Sequence, residues 1–301
     1  MICNKFLNFG SLNLDMVYSV DHTVRPGETI ASSKLEYFCG GKGLNQSIAL
    51  AKAGANIFHA GCVGNDGKIL IKKLNENGVN THLIKTCDMP NGHAIIQVDK
   101  NGQNSILIFG GANAQIDDIH ISEVLSEFKE GDRLFLQNEI NNVDKIIDAA
   151  SKKGMEIVFN PSPFTEDILS YPLDKISWFV VNETEAHELT NESDTDKVLS
   201  VFAEKYPSAK VLLTLGSDGS ICKADGELYH HDIFCVPVVD TTAAGDTFLG
   251  FFFALVDSLG IENALKYASA ASAIAVSKSG ASTSIPQLKE VEKFLHSYKE
   301  A

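Results

Sequence analysis

DTTAAGDTFLGFFFALV, residues 240–256, passes from acidic and small residues straight into an apolar run of helical length. Ala243, Ala244 and Gly245 separate Asp240 from Asp246, and nothing bulky covers the turn between them. A loop that starts a buried helix in this way leaves first-turn N–H groups and the positive dipole end open to an anion, a phosphate included. Asp246 then stands beside that anion, where a carboxylate is useful as a base that takes the proton of an attacking hydroxyl. An ordinary helix start, with Asp246 only complementing the dipole, satisfies the same residues.

Working outward, CGGKGLNQSIALAKAG begins at Cys39 and runs through Gly40, Gly41, Lys42 and Gly43 into a helix that stops at Gly54. Glycines there allow backbone to approach a ligand closely. Neither a P-loop nor GxGxxG spacing is met, so Lys42 is a lone cation in a glycine-rich turn, with Asn45 and Gln46 behind it. Earlier still, a first buried strand over residues 5–10 is followed by GSLNLD. Alternation in an extended chain turns Asn13 and Asp15 to one side, as two grips on neighbouring hydroxyls of a small polyol or as parts of a turn.

The strands predicted over 15–20 and 34–39 fall outside the main alternation, and so does a hairpin over 92–98 and 105–109 around DKNG. Together they form a four-stranded flap over a pocket. Elsewhere strands and helices alternate. Strands over 133–137, 156–159, 178–181 and 210–213 end at Asn138-Glu139, Asn160, Asn182 and Thr214. Ligands of a parallel α/β sheet bind beyond the carboxyl ends of its strands, so these polar residues mark a site, although each also suits a helix cap. Asn182 and Glu185, three apart on an opening helical turn, suit water ligands around a hard cation. TLGSDG, residues 214–219, offers N–H groups to phosphate oxygens at Gly216 and Gly219, or simply makes a turn. Two more helices, 261–277 and 287–298, flank KSGASTS, a loop placed to fold back over the anion site.

At 301 residues and 44% hydrophobic content, the chain can bury the core of one large domain. A formal charge of -14 disfavours nucleic-acid and anionic-membrane partners. The apolar runs 249–256 and 268–276 are each too short to span a bilayer, and no signal-peptide pattern opens the chain. Six cysteines without CxxC spacing read as reduced thiols of a cytoplasmic protein, and nine histidines show no metal-ligand spacing.

GSLNLD, GGKGLNQS, LQNE, NPSP, NETE, TLGSDG and DTTAAGDTF occur in this order, and through them residues 10–284 resemble the PfkB carbohydrate kinase family. The resemblance implies a single kinase domain over 1–301, a three-layer α/β/α arrangement with a central, mainly parallel sheet and a small β lid formed by about 13–39 and 92–110. It implies MgATP-dependent phosphorylation of the O5 hydroxyl of D-ribose, and a homodimer formed through the lid. Asn13, Asp15, Gly41, Lys42, Asn45 and Glu139 would grip the sugar, together with the base Asp246. Ala243, Ala244 and Gly245 would form the anion hole, and Asn182, Thr214, Gly216, Gly219, Gly245 and Ser269 would hold ATP. Asn182 and Glu185 would tune a magnesium site through water. Asp240, Thr242, Ala275, Lys278, Gly280 and Ser284 would ligate an activating potassium ion.

Three positions depart from the family pattern: Leu44 and Asn138 border the sugar side, and Ser269 the adenine. Deoxyribose kinase and another sugar or nucleoside kinase are therefore alternatives. A non-catalytic sugar- or nucleotide-binding regulator is the reading from a different class, and a replaced base or anion hole would be its mark.

Overall fold

The computed structural model describes residues 5–298. In chain order the elements are β1 (Phe6–Phe9), β2 (Asn13–Ser19), β3 (Lys34–Gly40), α1 (Lys42–Lys52), β4 (Ile57–Val63), α2 (Lys68–Glu76) and β5 (Asn80–Thr86). Then come β6 (Gly92–Val98), β7 (Asn104–Phe109), α3 (Asp118–Ser126), β8 (Arg133–Gln137), α4 (Val143–Lys152), β9 (Glu156–Asn160), β10 (Trp178–Asn182) and α5 (Glu183–Thr190). The chain closes with α6 (Thr195–Lys205), β11 (Lys210–Thr214), β12 (Ser220–Ala224), β13 (Glu227–His231), α7 (Ala244–Val276) and α8 (Leu288–Tyr298).

Nine strands form one sheet in the order β13-β12-β11-β10-β9-β8-β1-β4-β5, parallel from β11 to β5 and antiparallel at β12 and β13. Successive residues of the central strands feed opposite faces. Phe6, Phe135, Val158 and Trp178 pack on the side of α1, α2, α7 and α8, while Leu7, Leu134, Ile157 and Phe179 pack on the side of α3 to α6. Burial on both faces is why these strands read as continuous apolar runs. The outcome is the expected three-layer α/β/α arrangement.

β3-β2-β6-β7 make a separate four-stranded sheet, which is the expected flap. Asn13 lies within β2 itself, opposite Gly40 on one side and Gly92 on the other. Boundaries elsewhere differ from the sequence expectation by a few residues; β2 begins at Asn13 instead of residue 15.

α7 is the larger departure. Its two apolar runs, short when taken separately, join into one 33-residue element broken only at Gly260, whose φ of 76° is not helical. By length and composition it would suffice to cross a membrane. Here Phe248, Phe251, Phe252 and Phe253 are buried against the sheet, with Phe253 edge-on to Trp178 and Phe135. Gly250 lets α7 approach α1, since a Cβ there would stand 2.3 Å from that of Ala49. One turn back from Gly250 is Asp246, and one turn back from Ala49 is Asn45, so this contact brings both helix starts together.

Candidate active site

Both helix starts open on the carboxyl end of the sheet. No side chain caps α7, and Ala243 before it adopts a left-handed φ of 60°. Ala244 N donates to the Thr241 carbonyl at 3.2 Å, so Gly245 N and Asp246 N are the first-turn donors left for a ligand. Asp246, 7% exposed, accepts from Asn45 Nδ2 at 3.1 Å on one oxygen and from Gln46 Nε2 at 3.0 Å on the other. A cleft of about 210 Å³ is lined by Asp246, Ala243, Ala244, Gly245, Lys42, Asn160, Asn182, Glu185 and Thr214, among others.

α1 is set by close contact with the turn after β1. A Cβ on Gly43 would come within 2.4 Å of Ser11 N, so only glycine lets the helix start there. Glu139 Oε2 accepts from Lys42 N at 2.9 Å and from the Ser11 hydroxyl, which itself accepts from Gly43 N at 3.2 Å. A carboxylate thus sits on the positive end of α1. Burial raises the Glu139 carboxyl above its ordinary range, against the pull of Ser11, Lys42 N and the Lys42 cation. Burial also works against the Lys42 ammonium, but Asp246, Glu139 and Glu185 outweigh it and hold that group above its usual value. Asp15 is pushed up to about 7, by burial first and by the charge of Glu139 second. Asn13 beside it accepts from Asn113 Nδ2 at 2.7 Å.

One lysine among several buried carboxylates, next to an uncapped helix start, suits a polyanion and a proton acceptor at once. Residues 4–288 match the family described as pfkB family carbohydrate kinase. The chain belongs to the PfkB carbohydrate kinase family.

Relatives of this PfkB chain extend over nearly its whole length. It is 36% identical to a ribokinase of Haemophilus influenzae over 95% of this chain and 96% of that one. A deoxyribokinase of Salmonella typhi is 31% identical over 95% and 97% of the two chains. Among solved structures, ribokinase of Arabidopsis thaliana complexed with ribose and ATP superposes with a TM-score of 0.85 at 30% identity, covering 98% of this chain and 99% of that one. The fold is ribokinase-like.

Most of the predicted residues that the structure brings together fall in three groups. Asp246, Gly245, Ala244, Ala243, Lys42, Asn182, Glu185 and Thr214 share the cleft, and Asn182 pairs with Thr214 in register across β10 and β11. Asn13 and Glu139 line a neighbouring cavity of about 380 Å³ with Ile108 and Gly110 of the flap side and Asn138. Asp240 binds both segments expected around the potassium ion: Oδ1 accepts from Thr242 N and Oδ2 from Gly280 N, each at 2.9 Å. Burial would raise that carboxyl, but these donors hold it below its ordinary value.

Several predicted residues also have structural work. Asn182 and Glu185 form a reciprocal capping box, Asn182 Oδ1 accepting from Glu185 N at 2.9 Å and Glu185 Oε2 from Asn182 N at 3.1 Å. Gly216 and Gly219 shape the turn after β11 and are not among the residues lining the cleft; Ser269 is buried in the second half of α7 and is likewise not among them. Lys278 turns its ammonium to Glu290, 3.2 Å away. Of the departures, Leu44 is fully buried in the core rather than facing a ligand. Asn138 donates to the Pro163 carbonyl and Thr165 hydroxyl and accepts from Tyr171.

Ser11 and Asn113 were missed, although Ser11 lies inside GSLNLD, a motif already in view, while Asn160, marked at the end of its strand, lines the cleft. No group of three or more His, Cys, Asp or Glu that could hold a metal occurs among the described residues. The described cysteines are free, and Cys3 lies outside the described residues.

Proposed function

We propose that this chain is an ATP-dependent sugar kinase that transfers the γ-phosphoryl group of ATP to the O5 hydroxyl of D-ribose, giving ribose 5-phosphate and ADP. The observation that carries it is the Asp246 carboxylate, fixed by Asn45 and Gln46 in one cleft with the uncapped start of α7 and with Lys42. Asp246 takes the proton of O5 as the O5–phosphorus bond forms and the bond from phosphorus to the β-phosphate oxygen breaks. N–H groups of Gly245 and its neighbours steady the migrating group, and Lys42 balances charge. Asn13, Asp15, Gly41, Asn45 and Glu139 hold the sugar, while Asn182, Thr214 and the turn with Gly216 and Gly219 hold the nucleotide.

Glu185 fits a magnesium ion in the manner of a kinase site, where one or two carboxylates and substrate phosphates share the ion with water. Its hydrogen bonds to Asn182 N and Asn160 both use Oε2. When bound with ATP, magnesium supplies charge neutralisation on the phosphates.

D-Ribose is favoured by the ribokinase relatives, and 2-deoxyribose is the runner-up because a deoxyribokinase aligns as fully, at 31% against 36% identity. ADP release with D-ribose should far exceed that with 2-deoxyribose, fructose or adenosine. Equal or reversed rates would reject ribose as the substrate.

Potassium activation rests on the meeting of Asp240, Thr242 and Gly280 beside the start of α7. Replacing potassium by sodium at constant ionic strength should lower the rate severalfold. An unchanged rate removes the ion from the scheme.

The flap would serve as a lid and as a dimer interface. Ile106, Leu107, Ile108 and Phe109 alternate between the two faces of β7, and all four are exposed. Ile108 borders the sugar-side cavity, so the opposite face, with Leu107 and Phe109, is left for a second copy. Sedimentation should give about twice the 32.6 kDa chain mass, and Leu107→Asp should reduce it to one chain. A monomeric wild type refutes the pairing. Free thiols and the use of ATP suit a cytoplasmic setting.

A further inference from the structure

Beneath the cleft, a run of buried side-chain amides ends on Asp246. Gln46 Nε2 lies 3.0 Å from Asp246 Oδ1 and 3.3 Å from Asn160 Oδ1. Gln46 Oε1 accepts from Gln137 Nε2 at 2.6 Å, and the same nitrogen donates to Asn8 Oδ1 at 3.0 Å. Asn8 Nδ2 in turn donates to the Gly43 carbonyl and the Ser47 hydroxyl, both at 2.9 Å. On the other flank, Asn160 Nδ2 donates to the Val180 carbonyl at 2.9 Å and to Glu185 Oε2 at 3.2 Å. Asn8, Gln46, Gln137 and Asn160 are all buried.

An amide turned end for end keeps its shape, so only its partners decide which end faces where. A backbone carbonyl can only accept. The Gly43 carbonyl therefore fixes the NH₂ of Asn8, which leaves Asn8 Oδ1 to Gln137, Gln137 NH₂ to Gln46, and Gln46 NH₂ to Asp246. The Val180 carbonyl fixes Asn160 in the same way and presents Oδ1 to Gln46. Turning any one of these amides would set like ends together among buried groups, a costly arrangement.

We propose that Gln46 is a positioning residue for phosphoryl transfer, locked by Asn8, Gln137 and Asn160 so that it always donates to Asp246. The inference rests on the reading of Asp246 as the base. Donation from a neutral amide favours the ionised carboxylate without neutralising it and holds one oxygen in place, while Asn45 holds the other. The charged groups facing Asp246 are Lys42 on α1, Glu139 after β8 and Glu185 on α5. At the far end of the run, His59 meets Ser47 at 2.7 Å and is held neutral by burial, its pKa brought down to about 3, so it adds no competing charge.

The test is the pH profile of kcat for Gln46→Met and Gln137→Met, measured beside wild type and Asp246→Asn with D-ribose and MgATP. Gln46→Met keeps volume and removes the donor, so kcat at pH 7 should fall roughly tenfold to a hundredfold, both KM values should stay within about threefold, and the acid limb should move up by about one pH unit. Gln137→Met removes the donor to Gln46 Oε1 and leaves Asn160 alone to hold its orientation, so it should shift the same limb in the same direction by less. An unmoved acid limb in both variants overturns the proposal, whether or not kcat falls. If Gln46→Met does not fold, the limb of Gln137→Met decides. Should Asp246→Asn itself keep the wild-type rate, the base assignment fails; should it be inactive while both glutamine variants match wild type, only the positioning role is lost.

Discussion

Asp246→Asn is expected to lower kcat for sugar phosphorylation by roughly two to four decades, about 3–5 kcal/mol of transition-state stabilisation, with little change in KM for either substrate. The substitution preserves shape and leaves the α1–α7 contact at Ala49 and Gly250 untouched. What changes is the acceptor. A carboxylate receives one amide hydrogen on each oxygen, from Asn45 and Gln46, and retains lone pairs for the sugar hydroxyl. An amide can satisfy only one of those two donors, and it has no basic site for the O5 proton. The melting temperature, measured in parallel, separates loss of the base from loss of the fold. Sugar-dependent ADP release that survives near the wild-type rate would mean that another group takes the proton.

Sugar affinity should depend steeply on pH, because Asp15 titrates near 7 in the free protein. Hydroxyl groups donate to an ionised carboxylate, so sugar binds the deprotonated form. Apparent affinity should then be flat above about pH 8 and weaken roughly tenfold per unit below 7, reaching about a hundredfold at pH 5. Binding near pH 6 should also release a proton, which calorimetry in buffers of different ionisation enthalpy would detect. The sign for stability runs the other way in the sugar-free protein. Burial raises the folded pKa of Asp15 from 3.8 to about 7, so its contribution favours the fold at low pH and is lost as pH rises through that window. Glu139, raised in the same direction, would steepen the dependence. Asp15→Asn isolates the first group and should flatten the profile, at the cost of affinity. Affinity that is level between pH 5 and 8 in the wild type would contradict the assignment of Asp15 to the sugar.

Much of this site was readable in the chain because its parts obey local rules. Glu139, Asn182 and Thr214 follow parallel strands, and a parallel sheet gathers the ends of its strands on one edge. The starts of α1 and α7 carry glycine and alanine where backbone must stay open. What escaped depends on contacts between distant segments. Gln46 and Asp246 are 200 residues apart, and Ser11 and Glu139 are 128 apart, so no spacing reveals that they touch. Local and ligand roles coincide at Asn182 and Glu185, where the i, i+3 spacing of two water ligands is also that of a capping box, so spacing alone does not separate them. Leu44 was expected near the sugar because its neighbours are; one step along a helix turns a side chain by about 100°, and it faces the core instead.

The most direct measurement is a crystal structure with ribose and a non-hydrolysable ATP analogue bound together. O5 should lie within hydrogen-bond distance of an Asp246 carboxylate oxygen and in line with the γ-phosphorus, whose oxygens meet the N–H groups at the start of α7. Finding O5 turned away from Asp246, or the γ-phosphate seated elsewhere than on that helix start, would contradict it.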